Sequence, residues 1–188
     1  MTESARTPGQ TVGPFLDLGL PYPGDNLMVD DGHPQAIRLH GTVYDGAGAA
    51  VPDALVELWQ PDGAGRVPRQ AGSLRRHRDT SFTGWGRCAT DDAGHYAFTT
   101  LTPGSAIAGR PPFFALTVFA RGLLDRLFTR AYLPGADPDA DPLLAAVAAE
   151  RRPALLCTAE NNGAAYRFDI HLQGPAETVF LAYRDDAR

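Results

Sequence analysis

The run Ile37-Arg38-Leu39-His40-Gly41-Thr42-Val43 sets Ile37, Leu39, Gly41 and Val43 against Arg38, His40 and Thr42, the period of two that marks a strand with one face on a core. The pairs Asp45-Gly46 and Ala47-Gly48 then supply a turn before Val51. Ala54 to Trp59 predicts a second strand, with Leu55, Glu57 and Trp59 on one side and Val56 and Leu58 on the other. Apolar groups stand on both sides, so this strand is expected between two layers. A buried Glu57 needs a partner, because an unpaired carboxylate in the interior is costly or takes up a proton. Arg38 or an arginine of the 75 to 78 cluster is the expected one.

Outward from this pair, further strands are predicted at Arg87 to Thr90, His95 to Leu101, Phe113 to Ala120, Leu127 to Leu133, Tyr166 to Leu172 and Thr178 to Ala182. Asp92-Ala93-Gly94, Pro103-Gly104 and Gln173-Gly174 provide turns between several of them. Residues 61 to 86 have little regular pattern, and an irregular stretch of that length is functional or packs on a partner. One short helix is predicted near 142–151: Asp141 is a good N-cap, Pro142 sits at the first helical position, and strong helix formers follow from Leu143 to Glu150 before Arg151-Arg152-Pro153. Residues 1–35, rich in Pro, Gly and Asp, read as an extended arm that needs a neighbour to satisfy its backbone. The expected organisation is that arm, packing on a partner chain, followed by one all-β, two-sheet sandwich domain over 36–188.

Composition narrows the function. A chain of 188 residues, 44% of them hydrophobic, suits one domain with a sizeable core. All 17 basic residues are arginine and the formal net charge is -5, so nucleic acid, which needs a concentrated basic face, is not an expected partner. The first ten residues contain no apolar signal segment, and no later run reaches the ~20 apolar residues of a membrane span, so a cytoplasmic setting is expected. Cys88 and Cys157 are too few for a disulfide framework and are expected as buried, inert thiols.

Read for chemistry, the residues point to no self-contained centre. His33, His40, His77, His95 and His171 form neither the strand pair two apart nor the helix pair four apart that brings two imidazoles to one metal. His40 and His171, mid-strand, are expected to be solvent-facing or hydrogen-bonded. Ser4, Ser73, Ser81 and Ser105 lie in loops without an evident base. Arg75-Arg76-His77-Arg78 could bind an anion or mate with an acidic partner, and a solvated loop is the plainer reading.

Several motifs at fixed spacing resemble the signature of the intradiol ring-cleavage dioxygenases: Leu39 to Val43, then Gly48 and Val51, then Val56-Glu57-Leu58-Trp59-Gln60, then Gly65-Arg66-Val67. The likeness continues through Phe82 to Arg87, Asp92 to Tyr96, Phe119-Ala120-Arg121-Gly122 and Tyr166 to Ile170. Thr7 to Pro14 is similar to the start of the metal-free alpha chain in two-chain members of that family. In the iron-bearing beta chain of such members, two tyrosinates and two histidines hold Fe(III), the histidines lying two apart just after an Arg-Pro pair. Here Arg110-Pro111-Pro112-Phe113-Phe114-Ala115 places Phe113 and Ala115 at the histidine positions, Ala106 at one tyrosine position and Leu74 near the other. A hard ferric ion needs anionic oxygen donors, so this chain is expected to hold no metal.

What the resemblance implies is a shared enzyme. A partner beta subunit would carry the Fe(III), and the alpha-beta pair, within a larger oligomer, would use O2 to cleave 3,4-dihydroxybenzoate to 3-carboxy-cis,cis-muconate. No catalytic residue is expected in this chain; Thr11, Gly13, Pro14 and Arg121 are implied to line the partner's cavity. Gly13-Pro14 would let backbone approach a planar ring, and Arg121 would supply a permanent charge for its carboxylate. A salt bridge to an acidic side chain is the competing role for Arg121. Arg130 is the weaker candidate, aligned with a pocket position of the iron chain but on this chain's own vestigial side. Two other readings stay open: a non-catalytic β-sandwich interaction module of the transthyretin-like kind, and an enzyme working alone with a different metal.

Overall fold

The structure, a computed structural model, describes residues 19–30, 32–68 and 82–182. Among the described residues the strands are β1 (Ile37–Tyr44), β2 (Leu55–Trp59), β3 (Trp85–Ala89), β4 (His95–Thr100), β5 (Phe113–Phe119), β6 (Leu127–Tyr132), β7 (Thr158–Glu160), β8 (Ala165–Arg167) and β9 (Ile170–His171), and a short helix, α1 (Pro142–Ala146), lies between β6 and β7. They form two sheets, ordered β4-β1-β8-β7, with β9 also on β1, and β3-β2-β5-β6. The all-β sandwich expected from the sequence is the observed architecture. Leu39, Val43 and Phe98 from the first sheet meet Val56, Leu58, Phe114, Leu116 and Val118 from the second in one buried cluster. Each such fully buried side chain is worth about 1.5–3 kcal/mol.

β1 is the spine of its sheet. It runs antiparallel to β4, pairing Leu39 with Phe98, and parallel to β8 and β9 on its other side. The stretch from Tyr166 to Leu172, expected as one strand, is two pieces on a single register, Arg38 facing Ala165 and Val43 facing Ile170. The break lies at Phe168-Asp169. There the Phe168 N–H donates to the His40 carbonyl at 2.8 Å, while its own carbonyl turns to accept the Tyr96 hydroxyl at 2.6 Å. Asp169 replaces the missing ladder bond, its Oδ1 accepting from the Thr42 N–H at 3.0 Å.

Three other expectations need correction. Glu57 pairs with Arg87 at 3.0 Å, where Arg38 was one of the expected partners, because the β2–β3 register sets Arg87 directly opposite it; the 75 to 78 cluster lies outside the described residues. Thr178 to Ala182 forms no strand: its N–H groups reach His171 of one sheet and Phe128 of the other, so no ladder can build. The helix stops at Ala146, and a 3-10 segment, Ala149–Leu155, follows. Asp141 does cap it, Oδ1 accepting from the Leu143 N–H at 2.8 Å. Leu144 and Leu155 both pack with Tyr132 in a second cluster. In an unbroken helix, eleven residues would separate them by about 16 Å, so the chain bends at Val147 to bring both in.

Asp25 to Val29, ahead of β1, pack on the sandwich. Met28 and Val29 are fully buried. The Met28 N–H donates to Thr99 of β4 at 2.8 Å and the Arg87 N–H of β3 donates to Asp25 at 2.9 Å, so this segment spans the two sheets where they meet. Gly86 permits it, since a Cβ there would stand 2.9 Å from the Asp25 carbonyl oxygen. Among the described residues no helix is long and apolar enough to cross a membrane.

Two outcomes follow from the packing. A Cβ at Gly41 would lie 1.9 Å from the Phe168 carbonyl oxygen, so Gly41→Ala is expected to lower stability by about 3 kcal/mol or more, measured as a shift in the denaturation midpoint. Burial pushes the free Cys157 thiol up to about 12. At pH 8 only roughly one molecule in ten thousand then carries its thiolate, and alkylation of Cys157 in the native protein, located by peptide mapping, should be negligible until denaturant is added. Because the folded chain holds that proton more tightly than the unfolded chain, the associated stability is present below the ordinary thiol range and is lost as pH rises toward 12.

Candidate functional site

The segment from Gln60 to Arg66 and the turn at Pro103-Gly104 pack backbone against backbone. Gln60, 5% exposed, donates through Nε2 to the Leu101 carbonyl at 2.9 Å and accepts the Thr100 hydroxyl at 2.8 Å. Asp62 Oδ1 accepts from the Ala64 and Arg66 N–H groups, both at 2.9 Å, closing a turn whose Gly65 has φ +81°. A Cβ on Gly65 would lie 2.0 Å from the Ser105 carbonyl oxygen, and one on Gly104 would lie 2.4 Å from that of Gly63. Gln60, Gly65 and Arg66, part of the family-like signature, therefore hold together the wall of a cavity and do no chemistry themselves.

That cavity, about 80 Å³, is lined by Ala106, Arg110, Pro111, Phe113, Arg130 and Asp141, among others. Ala106 and Phe113, two positions read as replaced metal ligands, thus meet at one place. Ala115 lies two residues along β5 on the same face and opposite Arg130 in the β5–β6 register. Leu74 lies outside the described residues. The Arg130 guanidinium lies over the Phe113 ring, 4.2 Å from its centroid, donates to the Tyr132 hydroxyl at 3.0 Å and faces buried Asp141 at 3.5 Å.

These side chains do not fit a ferric ion. Ala106, Phe113 and Ala115 offer it no donor atom, and a fixed cation already stands at the Phe113 ring. Tyr132, whose phenol accepts from Arg130, has its pKa raised by burial, which outweighs the opposing pull of Arg130, so it stays a neutral hydroxyl. Among the described residues no group of three or more His, Cys, Asp and Glu side chains could hold a metal ion.

The other candidate residues lie elsewhere. Thr11, Gly13 and Pro14 fall outside the described residues, as does the Arg75 to Arg78 cluster. Arg121 follows β5, eight residues beyond Phe113 and so about 25 Å away along the sheet. Its Nε pairs with Asp53 Oδ2, a partner the sequence reading did not name, although 59% of the Arg121 side chain remains exposed. His40 accepts the structural role expected for it, its Nε2 lying 2.9 Å from Glu160 Oε2. His171 stacks on Tyr44 with ring centroids 4.9 Å apart. The signal for Arg130 was in the sequence as its alignment with a pocket position. The signals for Asp141 and Tyr132 were not, because they depend on where the chain bends after β6.

Residues 21–174 match the family described as Dioxygenase. The protocatechuate 3,4-dioxygenase alpha chain of Burkholderia cepacia is 38% identical over 198 residues, taking in 96% of this chain and 99% of that one. The protocatechuate 3,4-dioxygenase beta chain of the same organism is 35% identical over 179 residues, 84% of this chain and 74% of that one. Among solved structures, the dioxygenase domain of a dioxygenase carbohydrate-binding protein fusion from Streptomyces sp. SirexAA-E shares the fold with a TM-score of 0.60, at 24% identity over 90% of this chain and 99% of that one.

Restoring the histidine pair alone should not restore a metal centre here. Phe113→His together with Ala115→His is expected to add no iron, measured by metal analysis against the unsubstituted protein, because no anionic oxygen donor joins them and Arg130 remains in place.

Proposed function

From the premise that this chain belongs to the intradiol dioxygenase family, we propose that it is the metal-free alpha subunit of a protocatechuate 3,4-dioxygenase, working beside a beta subunit that holds Fe(III). The observation that carries this reading is the cavity at Phe113: the scaffold is retained while hydrocarbon and a guanidinium stand where a ferric ion would need donors. Likeness to an alpha chain over nearly the full length of both chains, against three quarters of the beta chain, supports the same assignment.

The enzyme of which it is part cleaves 3,4-dihydroxybenzoate with O2 to 3-carboxy-cis,cis-muconate. In this reading the arm that reaches the partner lies within residues 1–35, and its later part, Asp25 to Val29, already packs on the sandwich. Thr11, Gly13 and Pro14 bring backbone against the flat ring and help exclude water, and Arg121 holds the carboxylate. The guanidinium suits that task because it is charged at every relevant pH and can offer two parallel N–H groups to a carboxylate. No step of the oxidation runs through this chain's own side chains; its contribution is position and charge.

Co-expression with the iron chain, followed by oxygen uptake on 3,4-dihydroxybenzoate, tests the assignment. The pair should turn over and the isolated chain should not; turnover or stoichiometric ferric ion in the isolated chain would overturn it. In the assembled enzyme, loss of a desolvated charge-assisted contact worth ~1.5–3 kcal/mol means that Arg121→Ala should raise KM roughly 10- to 150-fold while sparing iron content.

A further inference from the structure

The β2–β5 register pairs Leu55 with Phe119, and carried two residues past the strand ends it sets Asp53 opposite Arg121. The two sides of this pair differ in firmness. Asp53 sits in the turn Pro52-Asp53, and buried Thr90 staples that turn on both sides: its hydroxyl donates to the Val51 carbonyl at 2.8 Å and accepts from the Ala54 N–H at 2.9 Å, and its own N–H donates to Ala54 at 2.8 Å. The Asp53 side chain is only 15% exposed. Arg121 stands on the loop after β5, beside Gly122 at φ +87° and near Leu124, which is 61% exposed. A fixed carboxylate therefore grips an outward-reaching guanidinium.

The grip is taken at Nε. Among the described residues Arg121 has no ion-pair partner besides Asp53, and 59% of its side chain stays exposed, so an incoming carboxylate can still reach the guanidinium. An arginine held in this way has already lost much of its rotational freedom, so less is lost on binding. We propose that Asp53 is a positioning residue for Arg121, and through it a determinant of preference for a carboxylated ring. This rests on Arg121 being the carboxylate anchor.

Position and charge make opposite demands here, which gives the test its sign. Asp53 offsets part of the Arg121 charge, so a merely neutralising role would make any uncharged replacement tighten binding of an anionic substrate. A positioning role makes the outcome depend on whether a side-chain oxygen remains within reach of the guanidinium. In the alpha-beta complex, Asp53→Ala should raise KM for 3,4-dihydroxybenzoate roughly 3- to 10-fold, the range for freeing one immobilised side chain. Its kcat, iron content and visible spectrum should stay unchanged, as should KM for 4-methylcatechol, which has no carboxylate. Asp53→Asn keeps an accepting oxygen and should return KM to the parent value or below. Asp53→Ala combined with Arg121→Ala should match Arg121→Ala alone. If Asp53→Ala does not assemble, Asp53→Ser, too short to reach the guanidinium, carries the same expectation. A raised KM in Arg121→Ala with an unchanged or lowered KM in Asp53→Ala and Asp53→Ser would overturn the role of Asp53 and leave the anchor standing. An unchanged KM in Arg121→Ala would remove the anchor itself, and the proposal with it.

Discussion

The close approach of two backbones at Gly41 is the constraint on which the first sheet depends. The Phe168 carbonyl presses into the space a side chain would fill, and the buried Tyr96 hydroxyl, reaching across from β4, satisfies it. That contact lets β8 and β9 keep one register along β1 while the ladder between them opens. Phe168 can then turn into the core, and Asp169 can supply the backbone of Thr42 with the acceptor that the strand no longer gives. A residue with any side chain at position 41 would push this edge away and uncover the apolar layer beneath it.

Seen from this packing, the residues that carry the family likeness are mostly the ones that make close approaches possible. Gly41 admits Phe168, Gly65 admits Ser105, and Tyr96, Gln60 and Glu57 satisfy polar groups that the core would otherwise strand. Such positions are needed whether or not a metal is present. A chain can therefore keep the outline of a dioxygenase after giving up the donors, since the outline is a set of packing requirements and the donors are a separate, smaller set.

The strands β1, β2, β4, β5 and β6 were legible because their alternation is strong and their turns carry Gly or Asp at the required places. What escaped reading depends on tertiary distance. Nothing local tells Glu57 that Arg87 lies across from it, because a long irregular stretch separates them and their register is set by the sheet as a whole. The helix after Asp141 is a good local helix; it ends early because two leucines eleven residues apart must fill one pocket beside Tyr132. Thr178 to Ala182 has a strand's composition, yet its hydrogen bonds are divided between two sheets. At the site, the replaced positions could be counted along the chain, but that Ala106 and Phe113 share a cavity with Arg130 required the fold.

The guanidinium lying on the Phe113 ring has a consequence for how such a chain can change over generations. Arg130 is tied to Tyr132 and to Asp141, and Asp141 also caps the helix that closes the second cluster. Removing the arginine to make room for a metal strands a buried acid, while adding donors with the arginine in place sets the ferric cation they would bind against a guanidinium of like charge. Neither single step is neutral, so reversal needs several substitutions at once. For a chain in the metal-free role proposed above, this coupling acts as a ratchet against acquiring a centre of its own.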